Sequence, residues 1–295
     1  MSQFFTAHLR LRSISPYSSL LRRLPEDVMP QFPNALPNPR QQSISKIADN
    51  VTGTYDLHDS LQISTVSGHI NVTVCLQPGD PQVPAELRLS SMSGSATVEV
   101  MNTTCGPRNS FDRSLDMHIS LVSGSIHATL PHSYRTLLKT VSGGITANLH
   151  PHGSTTKPTD IVLENTSGTT NMTLHPHVAD PRHPLTKLST TYKGVTGSVK
   201  LTYPLTWQGQ VEVHAQFGTV TRDWAGLKVT RDGPDMSAIV GEGEGRIWVG
   251  GVTSNVELVG KAFGFVARPP AEAAETAADD PENLPPPTYG EAMKG

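Results

Sequence analysis

Histidines and a proline–tyrosine element are the residues of this chain whose types and spacing could do chemistry. H-P-H occurs twice, as His150-Pro151-His152 and His175-Pro176-His177. Neutral imidazole binds Zn or Cu well, so two such tripeptides side by side would offer an edge of four imidazoles. The expected metal ligands are therefore His150, His152, His175 and His177. The same spacing also fits prolines that end two strands and are flanked by solvated histidines, and no Cys or carboxylate shares it. The second element is Pro286-Pro287-Thr288-Tyr289, a P-P-x-Y sequence. Its prolines favour an extended polyproline helix, which loses little entropy on docking into the aromatic groove of a WW domain, and the tyrosine sets the register. A WW-domain protein is the expected partner, with Pro286, Pro287 and Tyr289 as its contacts.

Other reactive groups say less. Cys75 and Cys105 are the only cysteines, too few for a disulfide framework, and are expected as free, partly buried thiols. N-x-[ST] triplets begin at Asn50, Asn71, Asn102, Asn165 and Asn171, and Asn71 and Asn171 fall where a strand faces water. No G-x-S-x-G, G-x-x-x-x-G-K-[ST] or H-E-x-x-H occurs. Acids such as Glu99 and Glu164 are scattered rather than clustered on one face. No catalytic residue and no cofactor are expected. A net charge of −3 argues against a nucleic-acid binder, and no apolar run reaches the length of a membrane span.

These groups must be positioned by something, and the chain supplies a repeat. Six glycines, Gly68, Gly94, Gly124, Gly143, Gly168 and Gly197, each follow Ser or Thr. The residues two, four and six places on are mostly apolar, as in Ile70/Val72/Val74 and Ile126/Ala128/Leu130, with polar residues between them. Seven and five places upstream sit pairs such as Leu61/Ile63, Leu87/Leu89 and Met117/Ile119. Strict alternation predicts two strands per repeat, each with one dry face. Two places before the glycine stand Val66, Met92, Val122, Val141, Thr166 and Val195, which breaks the parity of the first strand. A tight Ser-Gly hairpin would push these residues into water. A bend or bulge ahead of the V-S-G step, turning them and the glycine inward, is expected instead. Such units cannot bury a core alone and must stack. The expected fold is all-β, a β-solenoid or β-helix-like stack of V-S-G-centred strand pairs, with an antiparallel β-hairpin array as the alternative.

The T-V-S-G-H-I and T-V-S-G-G-I steps (residues 65–70 and 140–145) resemble those of an adhesin-type repeat family, a domain of unknown function built from V-S-G-x-I units. The Pro-rich inserts and tail resemble its fungal members. The resemblance spans residues 51–258, the last sixty more loosely. It implies surface attachment and brings no catalytic residue.

Residues 1–45 form a basic, Pro-rich leader. Arg10, Arg12, Arg22 and Arg23 precede the first acid, Glu26, a composition shared by mitochondrial transit peptides and disordered leaders. Residues 46–266 are the repeat domain, of which 205–266 are a looser cap holding Trp207, Trp224 and Trp248. These tryptophans are expected to close the open end of the core, with a ligand groove as the alternative. Residues 267–295 are an acidic, Pro-rich tail expected to be disordered. The function expected is a non-enzymatic binding scaffold with a WW ligand in its tail, in an intracellular setting, with mitochondrion or cell surface as alternatives. A carbohydrate- or surface-binding adhesin outside the cell comes second, and a polysaccharide-active β-helix enzyme third.

Overall fold

The computed structural model describes residues 40–101, 113–152 and 157–263 of the chain. Within them the alternating segments form strands and no helix is present. β3 (Ser60–Ser67) and β4 (Ile70–Leu76) flank Gly68, and β5 (Ala85–Ser93) and β6 (Ala96–Met101) flank Gly94. β7 (Leu115–Ser123) and β8 (Ile126–His132) flank Gly124, and β9 (Arg135–Ser142) and β10 (Ile145–Pro151) flank Gly143. At Gly168 and Gly197 the two strands run on without a break, as β11 (Thr159–Leu174) and β12 (Leu188–Pro204).

Strands pair in parallel with the next repeat, not with their own partner, which excludes the antiparallel hairpin array for the repeats. Upstream strands make one ladder, in which Leu61, Leu87, Met117, Thr136, Ile161 and Thr190 lie in register. Downstream strands make a second, aligning Ile70, Ala96, Ile126, Ile145, Thr170 and Val199. All twelve of these side chains are buried. Like sits on like because the dry faces stack only when the period-two patterns agree.

The ladders extend beyond the six glycines at both ends. β1 (Gln41–Lys46) lies parallel on β3 and β2 (Val51–Leu57) on β4, with Asp49 in the place next to Gly68. Residues 41–45, which composition assigns to the leader, thus belong to a strand. Q-Q-S-I-S-K has one apolar side chain, Ile44, because an edge strand is wet on most of its surface.

At the other end the stacking order departs from the chain order. After β12 come β13 (Gly209–Phe217), β14 (Val220–Asp223), β15 (Lys228–Arg231), β16 (Asp235–Val240) and β17 (Gly245–Lys261). β17 returns between β12 and the β13/β14 rung, parallel to all three. It carries Ser254 where its neighbour has Gly197, which is why the glycine pattern fades here. β16 pairs antiparallel with β13, and β15 with β16, ending the first ladder. Inside this end Tyr203, Trp207 and Trp224 are buried, with ring centroids 5.4–5.5 Å apart. The indole N–H of Trp207 donates to the Leu188 carbonyl at 3.2 Å. These two tryptophans belong to the buried core.

The bend at each glycine is real but turns the other way from the expectation. Thr65 is buried, Val66 and Ser67 both face out, and Gly68 is buried again. Val66, Met92, Val122, Val141 and Val195 are therefore exposed, between 41 and 59%. In the first five repeats the inward place goes to the residue three before the glycine: Thr65, Ser91, Leu121, Thr140 and Asn165. Most of these are polar because the carbonyl of the preceding glycine points into the bend and needs a donor. Thr140 Oγ1 donates to the Gly124 carbonyl at 3.1 Å, and Asn165 Nδ2 to that of Gly143 at 3.2 Å.

Candidate functional site

Gly68, Gly94, Gly124, Gly143, Gly168 and Gly197 line up as one column. The last five hold φ between +129 and +144°, a region L side chains avoid. A Cβ on any of the six would run into the backbone carbonyl of the rung before, Asp49 for Gly68 and the previous glycine for the rest. The ladder spacing leaves no room for a methyl, so these glycines are structural.

The histidines do not assemble the expected metal site. His150 and His175 stack face to face, centroids 4.2 Å apart and planes 11° apart. Rings stacked in this way hold their nitrogens in parallel planes and cannot aim them at one ion. His177 is buried and packs towards His183, centroids 6.2 Å apart, and His152 bonds through its backbone N–H to the His132 carbonyl. Among the described residues no three His, Cys, Asp or Glu are placed to hold a metal together. Burial lowers the His150 imidazole and holds His152 and His175 at about 4. His132 is buried completely and pushed to about 3, with Nδ1 2.9 Å from Thr136 Oγ1.

Cys75 is disulfide-bonded and buried, not a free thiol. The chain's other cysteine, Cys105, lies outside the described residues, as do Pro286, Pro287 and Tyr289. Asn71 and Asn171 are exposed, whereas Asn165 is buried and closed to a glycan. No described helix is long and apolar enough to cross a membrane.

The stacking creates a constellation that the acids' spacing in sequence hides. On the outer face of the first ladder one column runs Ser60, Glu86, Asp116, Arg135, Asp160. Beside it runs Gln62, Arg88, His118, Leu137, Val162, Thr191, Trp248. Glu86, Arg88, Asp116, His118, Arg135 and Leu137 surround a cavity of about 220 Å³. Glu86 pairs with Arg88. Burial, and then Arg88, lower the His118 imidazole and keep it neutral at neutral pH. In a third column Glu164 accepts from Lys139 at 2.9 Å, with Lys193 at 4.0 Å. Glu86 and Asp116 are thus brought to one cavity, which their spacing in sequence does not announce, while Glu99 and Glu164 lie outside it. The missed signal is the offset from the glycine: residues eight and six places upstream share a face from repeat to repeat.

The chain matches no family model, no curated protein and no solved structure.

Proposed function

We propose that the protein is a non-enzymatic binding scaffold: a β-solenoid of adhesin-like repeats whose outer faces hold a partner or surface, with a C-terminal ligand for a WW domain. The observation that supports it is the in-register parallel stacking, which sets outward side chains in straight columns. In nine upstream strands about 4.8 Å apart such columns extend for about 38 Å. They offer two surfaces, the apolar seam of Val66, Met92, Val122, Val141 and Val195 and the charged face beside it. The tail is tested by titrating a WW domain with the 280–295 peptide and its Tyr289→Ala variant. At least a tenfold loss of affinity is expected, and equal affinity would remove the WW ligand from the proposal.

A second reading, an adhesin working outside the cell, draws on the Cys75 disulfide, since such bonds persist in oxidising compartments. Exposed Asn71 and Asn171 agree with it. A mass at Asn71 that endoglycosidase removes would favour this reading over the first.

A further inference from the structure

We infer that the outer face of the first ladder binds a neutral linear saccharide, gripped at one end by the cavity of Glu86, Arg88, Asp116 and Arg135 and stacked at the other on Trp248. The inference rests on the scaffold reading and names the ligand class for one of its surfaces.

The cavity balances two carboxylates against two guanidinium groups around a neutral imidazole. A polyanion would meet Glu86 and Asp116, and a polycation would meet Arg88 and Arg135. A polyol meets neither objection. Each hydroxyl both donates and accepts, a carboxylate accepts from two of them, and a guanidinium fork donates to two. Asp116 and Arg135 sit directly opposite each other in register, and both line the cavity without forming an ion pair with one another. Leu137 supplies an apolar patch for the C–H face of a sugar ring.

Trp248 supplies the second anchor. It is the one tryptophan outside the core, half-buried on the same face and in the same column as His118 and Leu137. The benzo edge of its indole packs on Gly250, where any Cβ would enter the ring, and the His214 ring lies 6.1 Å away at a 42° tilt. The ring is thus held between Gly250 and His214 while part of it stays open to solvent, where an aromatic ring can stack on a ligand. Four rungs separate His118 from Trp248, about 19 Å at the strand spacing. The column between them carries Leu137, Val162 and Thr191, small and uncharged. Only a chain of several sugars reaches both anchors.

The test is calorimetry of the full chain with cellohexaose, chitohexaose, laminarihexaose and mannohexaose. The matching disaccharides and hexagalacturonate serve as contrasts, and every mixture is chromatographed for cleavage. One neutral hexasaccharide is expected to bind at least tenfold more tightly than its disaccharide and than hexagalacturonate. Asp116→Asn and Trp248→Ala should each weaken it at least tenfold at unchanged melting temperature, and Trp248→Tyr should restore most of the loss. Absence of binding by all four, equal binding of the polyanion, or indifference to either variant overturns the inference and leaves the scaffold reading standing. Binding followed by cleavage keeps the site and overturns the non-enzymatic reading.

Discussion

Gly143 and Val141 stand two residues apart and show how differently neighbouring residues of one motif are used. Gly143 has φ +144° and the Gly124 carbonyl where a Cβ would go. Val141 is 41% exposed. Gly143→Ala should therefore cost at least about 2 kcal/mol, from backbone strain and the clash together. Val141→Thr should stay within about 0.5 kcal/mol, as surface substitutions do. Urea unfolding of both variants measures the contrast. A Val141→Thr cost near that of Gly143→Ala would return the valine to the core and refute the outward bend.

Among the elements, the turn into β3 is fastened by side chains that no strand pattern announces. Arg113, 5% exposed, donates through Nε to the Val83 carbonyl at 2.6 Å and through Nη2 to Asp59 at 2.9 Å, and also reaches the His58 carbonyl. Arg40 grips the same carboxylate from the other side at 2.7 and 2.9 Å. The Arg40 hydrogen bonds, first, and Arg113 hold Asp59 at about 2 against the opposing effect of desolvation. Arg113→Met keeps much of the buried stem but leaves two carbonyls without their donor. A loss of roughly 2 kcal/mol is expected in chemical denaturation, since hydrogen bonds to a charged group are involved. A change below about 0.5 kcal/mol would show that the fastening contributes nothing beyond packing.

On the scale of the whole molecule, stacking collects histidines from several rungs at one edge, and their burial makes the array sensitive to acid. His132, His152 and His175 are held at about 3, 4 and 4, below the ordinary 6.5. Between those values and 6.5 the unfolded chain binds protons that the folded chain refuses, so stability rises with pH across that window. The stability is complete above pH 6.5 and drains as the pH falls towards 3. Completely buried His132 alone accounts for about 1.4 kcal/mol per pH unit. Melting temperatures at pH 7.5, 5.5 and 4.5 and constant ionic strength should fall steadily, with a shallower fall in His132→Asn. Asp59 and Asp232, both held at about 2, lose their stabilisation only as the pH falls below about 5, and in the same direction. The fall between pH 7.5 and 5.5 therefore belongs to the histidines, and a flat profile there would contradict the neutral buried histidines.

Alternation of side chains is local, so the chain by itself determined the strands, the dry residues of each repeat and the column of glycines. Leu61, Leu87 and Met117 announce their burial through the neighbours two residues away. The outward turn of Val66 was not legible, because a bend with two successive residues outside and a bend with them inside share one pattern. Only the carbonyl that Thr140 or Asn165 must satisfy decides between them. The charged cavity needed tertiary structure for a different reason. Glu86, Asp116 and Arg135 lie far apart along the chain, and parallel stacking alone makes them neighbours. The return of β17 between β12 and β13, which sets Trp248 on that same face, was fixed by the pairing of distant strands, and pairing at a distance leaves no periodic trace in sequence.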